Sequence, residues 1–282
     1  MKSGLLCGVV AATMCVASAE VCVKDGDRVA FLGDSITQLG DMPAGYVNMV
    51  MKGLEIAGVK DAVKIPAGLG GNKSTQMSER LDRDVLVKRP QWMLFSCGVN
   101  DVWHGKNGVE LERYEALVSG IFDRCAASNV NVIVLTATMI SENAQHPNNI
   151  KLAGYNDWLR AEAKRRGYRL ADLNADMQAE LARLKAEDPK RGGNLLTIDG
   201  VHMKFPGNCM MAWGILRTMG VNPALKDRVF KAFRQMPQAY SLNIGFTAEQ
   251  WEKFQRRCEA ERREANLDVA REMLIGKTET GK

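Results

Sequence analysis

Residues 28–37 read Arg28-Val-Ala-Phe-Leu-Gly-Asp-Ser-Ile-Thr37. The apolar run predicts a buried strand over Val29 to Leu32 that ends in Gly33-Asp34-Ser35, so one hydroxyl falls where a strand gives way to a turn. In an open α/β sheet that edge is where ligands bind. A serine after a strand more often caps a helix than attacks a substrate. It acquires a chemical meaning only if a base, an orienting acid and oxyanion donors follow other strands.

Working outward from this stretch, further apolar runs predict strands over Ala62 to Ile65, Trp92 to Cys97, Val132 to Thr136 and Tyr168 to Ala171. Between them, Tyr46 to Ala57, Thr75 to Lys88, Leu111 to Ala127 and Ile150 to Arg165 carry apolar residues at three- and four-residue spacing, the helical period. Strands alternating with helices imply βαβ units and a parallel sheet covered on both faces. The expected product is a three-layer α/β/α sandwich with a five-stranded parallel sheet. Phe205 to Met219, opened by Pro206 and closed by Gly220, reads as its last helix.

Residues 1–19 read as an export signal: Lys2, an apolar Leu5 to Val16, and the small-residue site Ala17-Ser18-Ala19. Cleavage after Ala19 and a periplasmic or extracellular location are expected. The main domain is then 20–220, and 221–282 is a helical C-terminal extension. Within the extension, Thr247 to Trp251 resembles a capped helix start, and Lys253 to Met273 a solvated, charge-laced helix.

With 282 residues, 46% hydrophobic and 25% charged, the chain has the composition of an ordinary globular protein. Its net charge of +5 is spread among interleaved acids and bases, which argues against a nucleic-acid stripe. No later segment could span a bilayer, so no stable membrane insertion is expected. Cys7 and Cys15 lie in the signal, leaving Cys22, Cys97, Cys125, Cys209 and Cys258, an odd and sparse set that is no disulfide framework, although one bridge stays open. There are only three histidines and no CxxC pair, so neither a zinc site nor another cofactor is expected. The oligomeric state is left open.

Three further pieces could complete the chemistry. In Asp199-Gly200-Val201-His202 a turn can bring the carboxylate to the imidazole Nδ1 and leave Nε2 free to take a proton, though an isolated pair at this spacing is more often a capping aspartate beside an incidental histidine. Gly70-Gly71-Asn72 follows the second strand, where a glycine N–H can approach a developing oxyanion, or the turn can be a plain connector. Gly98-Val99-Asn100-Asp101 follows the third; the Asn100 amide could donate to the same oxyanion or only close an Asx-turn. With Gly33-Asp34-Ser35 they supply nucleophile, base, acid and oxyanion donors, an acyl-transfer inventory.

In these four blocks, in their order and in their spacing, the chain resembles the SGNH (GDSL) hydrolases over about residues 28–220. The resemblance implies a flavodoxin-like fold, Ser35 as nucleophile, His202 as base and Asp199 as its orienting acid. It further implies an oxyanion hole made by the Ser35 N–H, the Gly71 N–H and the Asn100 side chain. Gly70 competes for the second donor; Gly71 is preferred because Asn72 then follows it as in the family. There is no GxSxG elbow of the ordinary α/β-hydrolases.

Among the neighbours, Trp103 and His104 follow the third block on a loop that could line a substrate cleft, or merely pack. Asp34 and Asp101 read as partners of local backbone N–H groups, His146 as a surface residue, and Asp82 and Asp84 as part of a charged helix face. Similarity to exported relatives implies an ester substrate, small or polysaccharide, with acetyl groups on carbohydrate preferred. The alternatives are a lysophospholipase or short-chain lipase, and a non-catalytic glycan-binding protein on the same scaffold.

Overall fold

The computed structural model describes residues 20–237 and 248–261. The chain divides into two compact units, Met1–Ala239 and Tyr240–Lys282. The export signal lies outside the described residues, as does the part of the expected last helix beyond residue 261.

In chain order the first unit contains β1 (Arg28–Gly33), α1 (Ser35–Gly40), α2 (Tyr46–Ile56), β2 (Val63–Gly68), α3 (Ser74–Asp84) and β3 (Trp92–Ser96). It continues with α4 (Val99–Trp103), α5 (Leu111–Ala127), β4 (Asn131–Leu135), α6 (Pro147–Arg166) and β5 (Arg169–Ala171). The helices α7 (Leu173–Glu187), α8 (Phe205–Thr218) and α9 (Lys226–Gln235) complete it. All five strands are parallel, in the order β2-β1-β3-β4-β5. This is the doubly wound sandwich expected from the sequence.

The strand sequences explain their places. In β1, β3 and β4 every residue after the first is buried, which is what helices on both faces of a parallel sheet require. The second strand differs from the expectation. It runs from Val63 on through Pro66 to Gly68 rather than ending at Ile65, because it lies at the sheet edge, where a proline lacking an N–H is tolerated.

The chain leaves β1 for β2 on one side and then crosses to β3 on the other. The strand order therefore reverses between β1 and β3, the point where such sheets hold ligands. Ser35 follows β1 and Asn100 follows β3, so the two flank this crevice.

Helix α7 escaped the sequence reading although Leu173, Met177 and Leu181 repeat every four residues, are buried, and follow a capping Asp172 that accepts the Ala175 N–H. Its other positions are nearly all charged or small, which hid the apolar stripe. Past the expected boundary at 220, α9 buries Val229 and Phe233 in the same core, so the packed unit extends beyond the last helix predicted for it. In the second unit, α10 (Ala248–Ala260) carries the i,i+4 ion pairs Lys253–Glu249 and Arg256–Glu252, as its alternating charges suggest.

Candidate active site

The site is assembled from the ends of strands and the loop before α8. Asp34 stops β1 and accepts the Ile36 N–H at 2.9 Å, which starts α1 and sets Ser35 at its first position. A first-turn N–H has no partner inside its own helix. That of Ser35 is accordingly free among the described residues and points out from a helix N-terminus.

Asp199 and His202 lie on the loop before α8. Asp199 Oδ1 accepts the N–H groups of Val201 at 3.0 Å and His202 at 2.8 Å, closing an Asx-type turn. Its Oδ2 lies 2.6 Å from His202 Nδ1. The other ring nitrogen, Nε2, lies 2.9 Å from Ser35 Oγ. Burial works to raise the Asp199 carboxyl, but hydrogen bonds from the His202 ring and from the two N–H groups outweigh it and hold the group at about 2. A carboxylate that stays ionised keeps a proton on Nδ1 and presents Nε2 to the serine as an acceptor.

The glycine turn after β2 lies beside the serine: a Cβ on Gly70 would sit 3.8 Å from Ser35 Cβ. The Gly70 N–H is occupied, donating to Gln38 Oε1 at 2.8 Å. The Gly71 N–H has no partner among the described residues, and Gly71 adopts φ +73°, a conformation side chains disfavour. Asn100, 5% exposed, donates one amide hydrogen to Asn72 O at 3.0 Å. An amide NH₂ carries two hydrogens, so one remains. A helix start sets Ser35, the glycine turn passes beside it at Gly70, and Asn100 clamps that turn at Asn72.

Behind this front lies a buried acidic layer that the sequence did not reveal. Asp101, read as satisfying local backbone, instead accepts from both the N–H and the Oγ of Ser74, at 3.0 and 2.6 Å, and so caps α3 from 27 residues away. The Cys97 thiol donates to its other oxygen at 3.4 Å. Burial raises the Asp101 carboxyl, pushes Asp34 up to about 6 and lifts the Cys97 thiol well above its usual range.

Arg80 was also missed. It is 6% exposed, and its guanidinium donates to Gly33 O, Ala67 O, Asn72 Oδ1 and Asp84 Oδ2. It ties the ends of β1 and β2 to the glycine turn. On the sequence it is one of several charges on α3, and only its burial distinguishes it from Arg83.

Trp103, 42% exposed, and His104 end α4 three and four residues past Asn100, both open to solvent. His146 caps α6 by accepting the Asn148 N–H, and Asp82 and Asp84 pair with arginines. The five cysteines among the described residues are free thiols. No group of three or more potential metal ligands and no helix fit to cross a membrane occurs among the described residues.

A family model for GDSL-like lipases and acylhydrolases matches residues 31–207, which span all four blocks. The chain belongs to the GDSL-like lipase/acylhydrolase family. As a GDSL-like acylhydrolase it is an enzyme, a serine ester hydrolase. An acetylxylan esterase of Geobacillus stearothermophilus is 24% identical over 189 residues, 64% of this chain and 83% of that protein. The solved structure of Axe2, an acetylxylan esterase from the same species, has a TM-score of 0.63 at 24% identity, covering 71% of this chain and 97% of that one. That likeness is one of fold. A second solved acetyl xylan esterase, AlAXEase, is 31% identical with a TM-score of 0.62, over 67% of this GDSL-like chain and 98% of its own. Solved catalytic mutants of Axe2 replace a serine, an aspartate and a histidine with alanine.

Proposed function

We propose that this GDSL-like hydrolase is an exported carbohydrate esterase that removes acetyl groups from a polysaccharide through Ser35, His202 and Asp199. The observation that carries the reading is the unbroken relay from Asp199 Oδ2 through the His202 ring to Ser35 Oγ. The polysaccharide rests on the relatives, which are acetylxylan esterases. Export rests on residues 1–19.

Ser35 Oγ attacks the ester carbonyl as its proton passes to His202 Nε2. The carbonyl oxygen becomes an oxyanion held by the Ser35 N–H, the Gly71 N–H and the second hydrogen of the Asn100 amide. The intermediate collapses, the sugar alkoxide takes the proton from Nε2 and leaves, and Ser35 is acetylated. Water then attacks the acyl-enzyme, giving its proton to His202, and acetate departs as Ser35 Oγ is reprotonated. Asp199 stays ionised throughout and compensates the imidazolium.

One observation favours the runner-up, a lipid-directed esterase. Leu39, Leu69 and Ile198 are exposed, and each stands four residues or fewer from Ser35, Gly71 or Asp199. Exposed apolar residues that close to the site in the chain suit an acyl chain as well as the face of a sugar.

The test is acetate release by the purified protein from acetylated xylan, set against fatty-acid release from lysophospholipid, with fluorophosphonate labelling of wild type and Ser35→Ala. Labelling that depends on Ser35 together with acetate release supports the reading. Labelling without acetate release but with fatty-acid release supports the lipid enzyme, and absence of labelling a binding protein. N-terminal sequencing of the protein recovered outside the cytoplasm tests cleavage after Ala19.

A further inference from the structure

One buried carboxylate near the site takes no part in that chemistry. Glu142 lies on the loop between β4 and α6, 8% exposed. Its Oε2 accepts the Leu195 N–H at 2.6 Å. Its Oε1 accepts the Leu196 N–H at 2.8 Å, the Thr197 N–H at 2.7 Å and the Thr197 hydroxyl at 2.7 Å. Three consecutive N–H groups turned toward one anion form a nest, with the side chain of Glu142 in the place an anion would take.

The nest is the start of the loop that carries the acid and base. Thr197 Oγ1, while donating to Glu142, accepts the Gly200 N–H at 3.1 Å. The Gly200 carbonyl in turn accepts the N–H of Ser141, the neighbour of Glu142, at 2.8 Å. A Cβ on Gly200 would come within 3.1 Å of Ser141 Cα, and Gly200 takes φ +97°, so only glycine lets the two loops meet this closely. The Ile198 N–H closes the turn on His202 O at 2.7 Å.

The Glu142 loop is itself anchored. Asn149 of α6 accepts the Ile140 N–H at 2.7 Å and donates to Ser141 O at 2.9 Å and Asn143 O at 2.8 Å. Bonds therefore run from Asn149 of α6 to the residues on either side of Glu142, and from Glu142 through Thr197 to Gly200, which lies between Asp199 and His202.

We infer that Glu142 is a positioning residue, fixing the Asp199–His202 turn so that His202 Nε2 meets Ser35 Oγ; this rests on the reading of that pair as acid and base. β1 brings Ser35 to the carboxyl end of the sheet, but His202 lies on a loop closed only by a single antiparallel bridge, Thr197 to Met203, and its aim depends on what holds that loop. A displacement of about 1 Å in a catalytic group can cost on the order of 100-fold in rate. Because both Glu142 oxygens are taken up by residues 195–197, its loss should act on kcat.

The test measures kcat and KM for p-nitrophenyl acetate in the full chain for wild type, Glu142→Gln, Thr197→Val, the double variant and His202→Ala, with thermal melts to confirm folding. Glu142→Gln places an NH₂ among N–H donors, and kcat is expected to fall about 10- to 100-fold with KM within about twofold. Thr197→Val keeps the three N–H bonds but breaks the hydroxyl relay, with an expected fall of about 3- to 10-fold in kcat and an effect less than additive with the first. A folded Glu142→Gln with wild-type kcat, or one altered only in KM or melting temperature, overturns the inference. If Glu142→Gln does not fold, Thr197→Val decides in its place: wild-type kcat there overturns the inference, and a lowered kcat at constant KM supports it. Activity retained in His202→Ala would instead bring down the acid–base reading, and this inference with it.

Discussion

Ser35 Oγ and His202 Nε2 lie 2.9 Å apart although 167 residues separate them in the chain. The serine is placed by the end of a central strand, the histidine by a loop before α8. No local preference links the two. Their meeting depends on the sheet order and on the bonds that hold the histidine loop, and it makes the orienting acid the most informative position to alter.

In Asp199→Asn the amide oxygen can still accept the Val201 and His202 N–H groups, so the turn should survive. The NH₂ would face Nδ1 and favour the tautomer with the proton on Nε2, which cannot accept from Ser35. A fall of about 10⁴-fold in kcat is expected, with little change in melting temperature. Steady-state kinetics beside a thermal melt check this, and a fall below tenfold would show that the tautomer does not matter.

Asn100→Ala removes one oxyanion donor and leaves the nucleophile and base in place. The expected loss is about 10²–10³ in kcat, with KM nearly unchanged. Since Asn100 also clamps the Asn72 carbonyl, part of the loss would come from the glycine turn. Fluorophosphonate labelling should slow in parallel with ester hydrolysis. Labelling at the wild-type rate would mean that Asn100 does not face the oxyanion.

Arg80→Met should remove the buried guanidinium that donates to the carbonyls of Gly33 and Ala67. Gly33 O keeps the Leu69 N–H, so the stability loss expected in denaturant unfolding comes chiefly from Ala67 O and is about 1–3 kcal/mol. Activity should fall at temperatures where the protein is still folded, because Asn72 and the Gly71 turn lose their tether. Unchanged stability would show that the guanidinium bonds do not hold these strand ends.

Asp34 gives the fold a pH dependence of known sign. Burial raises its folded value to about 6, above its ordinary 3.8, so between those values the folded state holds more protons than the unfolded chain. Stability from this group is complete below about pH 4 and declines as the pH rises through 6. Asp199, held at about 2, acts oppositely: its contribution is present above about 4 and is lost on acidification toward 2. Asp34→Asn keeps an acceptor for the Ile36 N–H, so it should gain in melting temperature relative to wild type between pH 4 and 7. A difference independent of pH over that range would refute the assignment.

By itself the sequence determined the elements and the chemical inventory. Alternation of apolar runs with helical periods determined the layered parallel sheet, because strands buried on both faces and one-sided helices leave their period in the sequence. Glycines and polar residues after the strands marked Ser35, Gly71 and Asn100, and the resemblance of the four ordered blocks to a known family added Asp199 and His202. Tertiary structure alone decided what lies behind them. Asp101 caps a helix 27 residues away, and Arg80 gathers two strand ends. Glu142 fills a nest that begins 53 residues downstream. A carboxylate or guanidinium on an exposed face and one buried on four partners look alike in sequence, because burial belongs to the assembled neighbours and not to the residue.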